Sequence, residues 1–253
     1  MVTDGTKLAA VGRRRGWRLW LGLVFVPVAL AILLTLGTWQ VNRLYWKETL
    51  LAQIEARRNA PPADIAAIEA AVSAGDDIDY RHAQVSGTFL HDKERHFLAT
   101  FEGQSGFYVY TPLQLTDGRF LFVNRGFVPY DRKLPESRPE SQPPGDQTIT
   151  GLARARLAAK PSSLVPDNDE VANIFYWKDL DRMTASAGLE GGEVLPFFLD
   201  ADATPNAGGL PKGGVTQIDL PNNHLQYAIT WYGLAFALVA VTIAGLLRRR
   251  SDA

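Results

Sequence analysis

One histidine stands where chemistry is easiest to place in this chain. Asn222-Asn223-His224 meets an uncharged run from Leu225 to Leu247, long enough at about 1.5 Å per residue to cross a hydrocarbon core about 30 Å thick. Positions 224, 227 and 231 are spaced by three and four, so His224, Tyr227 and Trp231 share one face of the helix this run predicts. Pro221 and the two asparagines suit a helix start, where the positive dipole end disfavours a cation and so favours neutral imidazole. Neutral imidazole is the form that ligates iron, and flat aromatic neighbours suit a porphyrin plane, so the trio suits a haem whose iron is held by His224. The same three rings are also common at membrane interfaces simply because they are amphipathic. On spacing alone the interfacial reading is the favoured one.

What must position this site is a pair of anchors. A second uncharged run, Leu19 to Trp39, mirrors the first, and each predicts a spanning helix. Pro27 inside it is tolerated in lipid, where neighbouring groups take up the freed carbonyl, and predicts a kink. Ala29-Leu30-Ala31 matches a signal-peptidase pattern but lies in mid-segment, with Ile32 to Leu36 still apolar beyond it, so the run reads as a retained anchor. The first 18 residues are too short and too poor in serine for a mitochondrial transit peptide, which favours a bacterial inner membrane. Lys7, Arg13, Arg14, Arg15 and Arg18 before the first run, and Arg248 to Arg250 after the second, put both termini in the cytoplasm. The chain divides accordingly into a basic N-terminus (1–18), a first transmembrane helix (19–39), a periplasmic domain (40–224), a second transmembrane helix (225–247) and a basic tail (248–253).

Charge and composition narrow the function. Residues 40–224 hold 18 Lys+Arg against 25 Asp+Glu, a net charge of about −7 hidden by the near-neutral total. The basic residues cluster at the membrane edges, where they set topology and meet anionic lipid, so nucleic acid is not an expected partner. The absence of cysteine excludes a disulfide framework, a thiolate metal site and a cysteine nucleophile. With only Met1 and Met183, there is no soft site for copper(I) either.

The exported segment opens helically. Leu44, Leu50, Leu51 and Ile54 recur at helical spacing between Val41 and Arg58, Pro61-Pro62 stop the pattern, and Ala63 to Ala74 predicts a second helix continuing the anchor away from the bilayer. Beyond Tyr80, strands are predicted over Ala83–Leu90, Arg95–Phe101, Phe107–Leu115, Arg119–Val128 and Thr148–Ala153. Asp117-Gly118 marks a tight turn, which makes Phe107–Val128 a hairpin and implies an antiparallel sheet. Tyr130 to Gln147, rich in proline and charge, reads as an exposed loop without packed structure. Val165–Asn173 looks similar; a short helix over Phe175–Ala187 and a strand at Val194–Asp200 follow. The expected fold is therefore a membrane protein of the α+β class, two transmembrane helices flanking one exported domain built on an antiparallel β-sheet or barrel with short helices.

Other chemistry-bearing residues offer less. His91 and His96 flank Asp92-Lys93-Glu94-Arg95, which reads as a hydrated, charged turn rather than a metal site. His82 begins a strand. Arg125, in Asn124-Arg125-Gly126, reads as an ordinary salt-bridge partner, with a haem propionate as the other option. No serine lies in a nucleophile elbow and no acid–base pair can be nominated, so an enzyme is not expected.

Four ordered motifs carry a resemblance. They are Gly37-Thr38-Trp39-Gln40-Val41-Asn42-Arg43 with Trp46-Lys47; Tyr80-Arg81 through Gly87-Thr88-Phe89; Thr111-Pro112-Leu113 with Val123-Asn124-Arg125-Gly126-Phe127-Val128-Pro129; and Asn223-His224-Leu225-Gln226-Tyr227-Ala228 with Thr230-Trp231-Tyr232. Spanning nearly the whole chain, they make it resemble the Surfeit locus protein 1 family, the assembly factors for cytochrome c oxidase. Phe127 departs from the tryptophan expected there, a ring-for-ring change. The resemblance implies a protein that helps place haem a into subunit I of an aa3-type oxidase, with His224 on the iron and Trp231 beside the ring. Haem a synthase is then the possible donor, Gly22 and Gly37 would let the two helices approach closely, and the exported domain would dock the nascent oxidase. A scaffold that binds subunit I without carrying haem is the rival implication. A sensor is not implied, since about 18 and 6 residues leave no room for a cytoplasmic output domain.

Overall fold

A computed structural model describes residues 5–216 and 221–251, with side chains from Val24 onward. Gly22 and the basic residues before Leu19, to which topology and helix contact were assigned, therefore lie outside the described side chains. Contacts divide the chain into two units: the two terminal segments, up to Ala52 and from Asp219, and the intervening Gln53–Ile218.

The first unit is helical. Helix α1 runs Gly5–Asn59 without a break at Pro27, and α4 runs His224–Ser251. Both are long and apolar enough to cross a membrane. Their exposed surfaces carry Phe25, Ile32, Leu234, Phe236 and Val241, which suits lipid rather than water as the surrounding medium.

The second unit is an α+β domain of six strands: β1 (His82–Phe89), β2 (Arg95–Phe101), β3 (Gln104–Leu115), β4 (Phe120–Pro129), β5 (Asp146–Ala155) and β6 (Val194–Ala201). Their order is β1-β5-β6-β4-β3-β2, and Gly87–Phe89 of β1 also pair with Leu113–Leu115 of β3. Five strands thus close on themselves as a barrel, with β2 continuing off β3. Closure removes most of the free edge an open sheet would expose. The hairpin around Asp117-Gly118 forms as expected, with Gly118 at φ +87°.

The antiparallel expectation fails at one pairing. β6 runs parallel to β4, with Phe122 opposite Phe198 and Asn124 opposite Asp200. A parallel pair needs a crossover of a dozen or more residues, and the 64 residues from Tyr130 to Glu193, including β5, supply it. β4 and β6 are buried on both faces. Leu121, Val123, Leu195, Phe197 and Leu199 point into a core shared by all five barrel strands, while Phe122 and Phe198 point out against Phe175, Leu180 and Met183. That explains why Phe120–Val123 and Phe197–Leu199 are continuous apolar runs rather than alternating ones.

Helix α2 (Ile65–Ser73) does not extend the anchor, as the sequence suggested; it sends Ile68 and Ala71 into the barrel core. Asp64 caps it, accepting from Ala67 N at 2.8 Å. Asp64→Ala should cost about 1 kcal/mol, a loss visible as a downward shift of about 2–4 °C in the thermal midpoint. Helix α3 (Leu180–Ser186) is shorter than the span predicted for it, because Asp179 caps it by accepting from Arg182 N.

The stretch 130–147 is also better packed than its composition suggested. It folds into three short 3-10 turns, and Arg138 and Ser141 within it are buried. The reason is a buried partner for Arg138, described below.

Candidate functional site

His224 is the first residue of α4, and Tyr227 N donates to Asn223 O at 3.2 Å in the opening turn. Three and four residues are the helical spacings that align side chains. His224, Ala228, Trp231 and Ala235 follow that rhythm and form the covered face of α4: the two alanines are buried, and His224 and Trp231 half-buried. Tyr227 is 54% exposed; a step of three residues leaves it about 60° around the helix from His224.

Small and polar residues of α1 meet that face. A Cβ built on Gly37 would lie 2.9 Å from Tyr232 Cε1, so glycine is what lets the ring lie against the helix. Thr38 Oγ1 and Tyr232 Oη are 3.0 Å apart, and Lys47 Nζ donates to Pro221 O. The central contact is polar: His224 Nδ1 lies 2.7 Å from Gln40 Oε1, and Gln40 is buried. An amide oxygen only accepts, so Nδ1 carries the proton and donates. In a neutral ring this places the lone pair on Nε2, and Nε2 has no hydrogen-bond partner among the described residues. A ring oriented by its second nitrogen is the usual arrangement of a metal-ligating histidine. On the same stretch of α1, Leu34, Thr35, Thr38, Trp39 and Asn42 border a cleft of about 400 Å³. A free imidazole nitrogen beside aromatic and small side chains fits a haem ligand.

Sequence reasoning did not single out Gln40 or Tyr232 as site residues. Both lay within the motifs that carried the family resemblance, which was the available signal.

Of the remaining histidines, His82 opens β1 as expected. His82 Nδ1 contacts Ala60 O at 2.9 Å. The turn between β1 and β2 is not hydrated throughout: Glu94 and His96 are each only 2% exposed. Glu94 receives both terminal nitrogens of Arg138, with Nη1 to Oε1 at 3.3 Å, and Arg125 Nη1 lies 3.6 Å from Oε1. His96 Nε2 stands 3.6 Å from Oε2, beyond hydrogen-bond length, and neither ring nitrogen of His96 has a partner among the described residues. Burial opposes the Glu94 charge, but His96 and Arg138 beside it prevail and hold its pKa below the ordinary 4.5. Burial likewise pushes His96 below 6.5 despite Glu94, and pushes Arg125 down to about 10, still a cation at neutral pH. Arg125 is a salt-bridge partner, as expected, but a buried one. Among the described residues no group of three or more carboxylates and histidines is placed to hold a metal ion.

Comparison with known proteins matches this architecture to one family. The profile of the SURF1 family matches residues 28–236. The chain is 36% identical to Surfeit locus protein 1 of Rattus norvegicus over 243 residues, which is 90% of this chain and 75% of the rat protein. It is 36% identical to Surfeit locus protein 1 of Homo sapiens, over 85% of this chain and 73% of the human one. A SURF1-like protein of Monosiga brevicollis is 35% identical across 98% of this chain and 94% of its own length.

Proposed function

This chain belongs to the SURF1 family, the assembly factors of cytochrome c oxidase, and from that premise we propose that it carries haem a as cargo to oxidase subunit I, with His224 on the iron. The observation that supports this reading is the Gln40–His224 hydrogen bond, which leaves Nε2 with an unused lone pair. Trp231 shares the covered face with His224 and supplies a flat wall; Tyr227 offers an exposed ring at the edge. In this reading the chain passes the inner membrane of a bacterium twice, with both termini cytoplasmic by the positive-inside rule and residues 40–224 periplasmic. The acidic barrel domain is the part that docks the nascent oxidase, and haem a synthase is the donor.

The test is a redox difference spectrum of the full chain purified from cells that make haem a. The expected result is a haem a band co-purifying with the protein. A colourless protein that still captures subunit I would replace the carrier with a scaffold and return His224 to an interfacial role.

A further inference from the structure

The barrel domain holds a polar cavity of about 340 Å³, away from the Glu94 cluster. Phe97, Tyr108, Asn124, Arg154, Lys178 and Asp200 line it. Its volume is at the low end of small-molecule sites.

The cations in it are unevenly answered. Asp200 is buried, and its two oxygens accept from Asn124 Nδ2 and from Thr216 Oγ1, each at 2.9 Å. Arg154 Nε is 3.8 Å from Asp200 and 3.7 Å from Asp79, but its buried Nη1 has no partner among the described residues. Lys178, half-buried, has neither a hydrogen bond nor an ion pair among the described residues; its Nζ sits 5.4 Å over the Tyr110 ring. Burial lowers the Lys178 pKa from its ordinary 10.5. A donor withdrawn from water without an acceptor is unfavourable; Arg154 Nη1 is such a donor, and Lys178 brings a second cation without an ion pair to the same cavity. A bound oxyanion would satisfy both.

The aromatic lining selects the rest of the ligand. The Phe97 and Tyr108 rings lie 6.2 Å apart and nearly parallel, at 5°, and present apolar surface to the cavity. A single carboxylate reaches the open donors of Arg154 and Lys178 and leaves its apolar body for these rings, which an inorganic dianion would not use. We propose that this cavity binds a small monocarboxylate with a flat or branched apolar body, its carboxylate bridging Arg154 and Lys178 and its body against Phe97 and Tyr108. The carboxylate belongs either to a free small molecule or to the C-terminal residue of a protein chain.

Titration calorimetry on the full chain in detergent, with benzoate as the probe, tests this. Benzoate should bind, and neutral benzamide should bind at least about tenfold more weakly, the loss expected for a charge-assisted hydrogen bond. Lys178→Met should weaken benzoate by a similar factor. The benzoate–benzamide comparison uses the unaltered protein, so it stands even if the variant does not fold. Equal affinity for benzamide, inorganic phosphate binding as tightly as benzoate, or no binding of benzoate and of the tripeptide Ala-Ala-Phe would each overturn the proposal. Tighter binding of Ala-Ala-Phe with a free carboxylate assigns the ligand to a chain terminus; weaker binding assigns it to a free small molecule.

Discussion

His224→Ala should remove the haem a band from the purified protein, and Gln40→Leu should weaken haem retention by about 10–100-fold while leaving the ligand in place. The second effect follows from orientation: without the Gln40 Oε1 acceptor, nothing at 2.7 Å holds Nδ1 in its protonated tautomer, and loss of such an orienting partner typically lowers affinity by about that factor. Measuring both by haem content per protein and by the band position separates the two roles. His224→Ala removes the iron ligand, so the band should vanish. Gln40→Leu keeps the imidazole, so the residual band should stay at its wavelength with reduced occupancy. Unaltered haem content in His224→Ala would sink the ligand assignment, and unaltered content in Gln40→Leu would sink the orienting role.

Much of the fold could be read in the sequence because its signals are local. Asp117-Gly118 marks a hairpin that forms in register, and two uncharged runs of spanning length mark two helices. Strand partners are not local. Val194–Asp200 reads as a strand, but nothing in its own residues says that it lies parallel to β4 rather than beside its sequence neighbours. Helix α2 was misplaced for a similar reason: an alanine-rich amphipathic stretch does not specify whether its apolar face meets lipid or a barrel core.

The site divides in the same way. His224, Tyr227 and Trp231 could be found because one helix carries all three. Gln40 lies 184 positions from His224, and no single-sequence pattern joins them. The turn His91–His96 misled for a physical reason. Six consecutive polar residues with four charges ordinarily mean solvation, and that inference fails only when a distant cation accompanies the carboxylate inward. Arg138, 44 positions beyond Glu94 in a stretch that reads as a surface loop, is that cation.

Glu94→Ala is therefore expected to be among the most damaging single changes outside the membrane helices. It leaves Arg125 and Arg138, 2% and 3% exposed, without the carboxylate between them, and removing one partner of a buried ion pair costs about 3–5 kcal/mol. For a protein of this size that corresponds to a fall in thermal midpoint on the order of 10 °C, measurable by circular dichroism of the full chain in detergent. The pH profile identifies the cause. The folded pKa of Glu94 lies below 4.5, so its contribution is complete at neutral pH and is lost as pH falls below 4.5 through the folded value. His96, held neutral by burial with a folded pKa under 6.5, makes the protein less stable as pH falls below 6.5, because the unfolded chain takes up that proton first. The wild-type midpoint should thus decline in two stages on acidification. In Glu94→Ala the stage below 4.5 should shrink while the stage that begins near 6.5 remains. A midpoint within about 2 °C of wild type at neutral pH, less than about 1 kcal/mol by the same conversion, would mean that water already compensates the two arginines and that the cluster is not the clamp that packs residues 130–147 against the barrel.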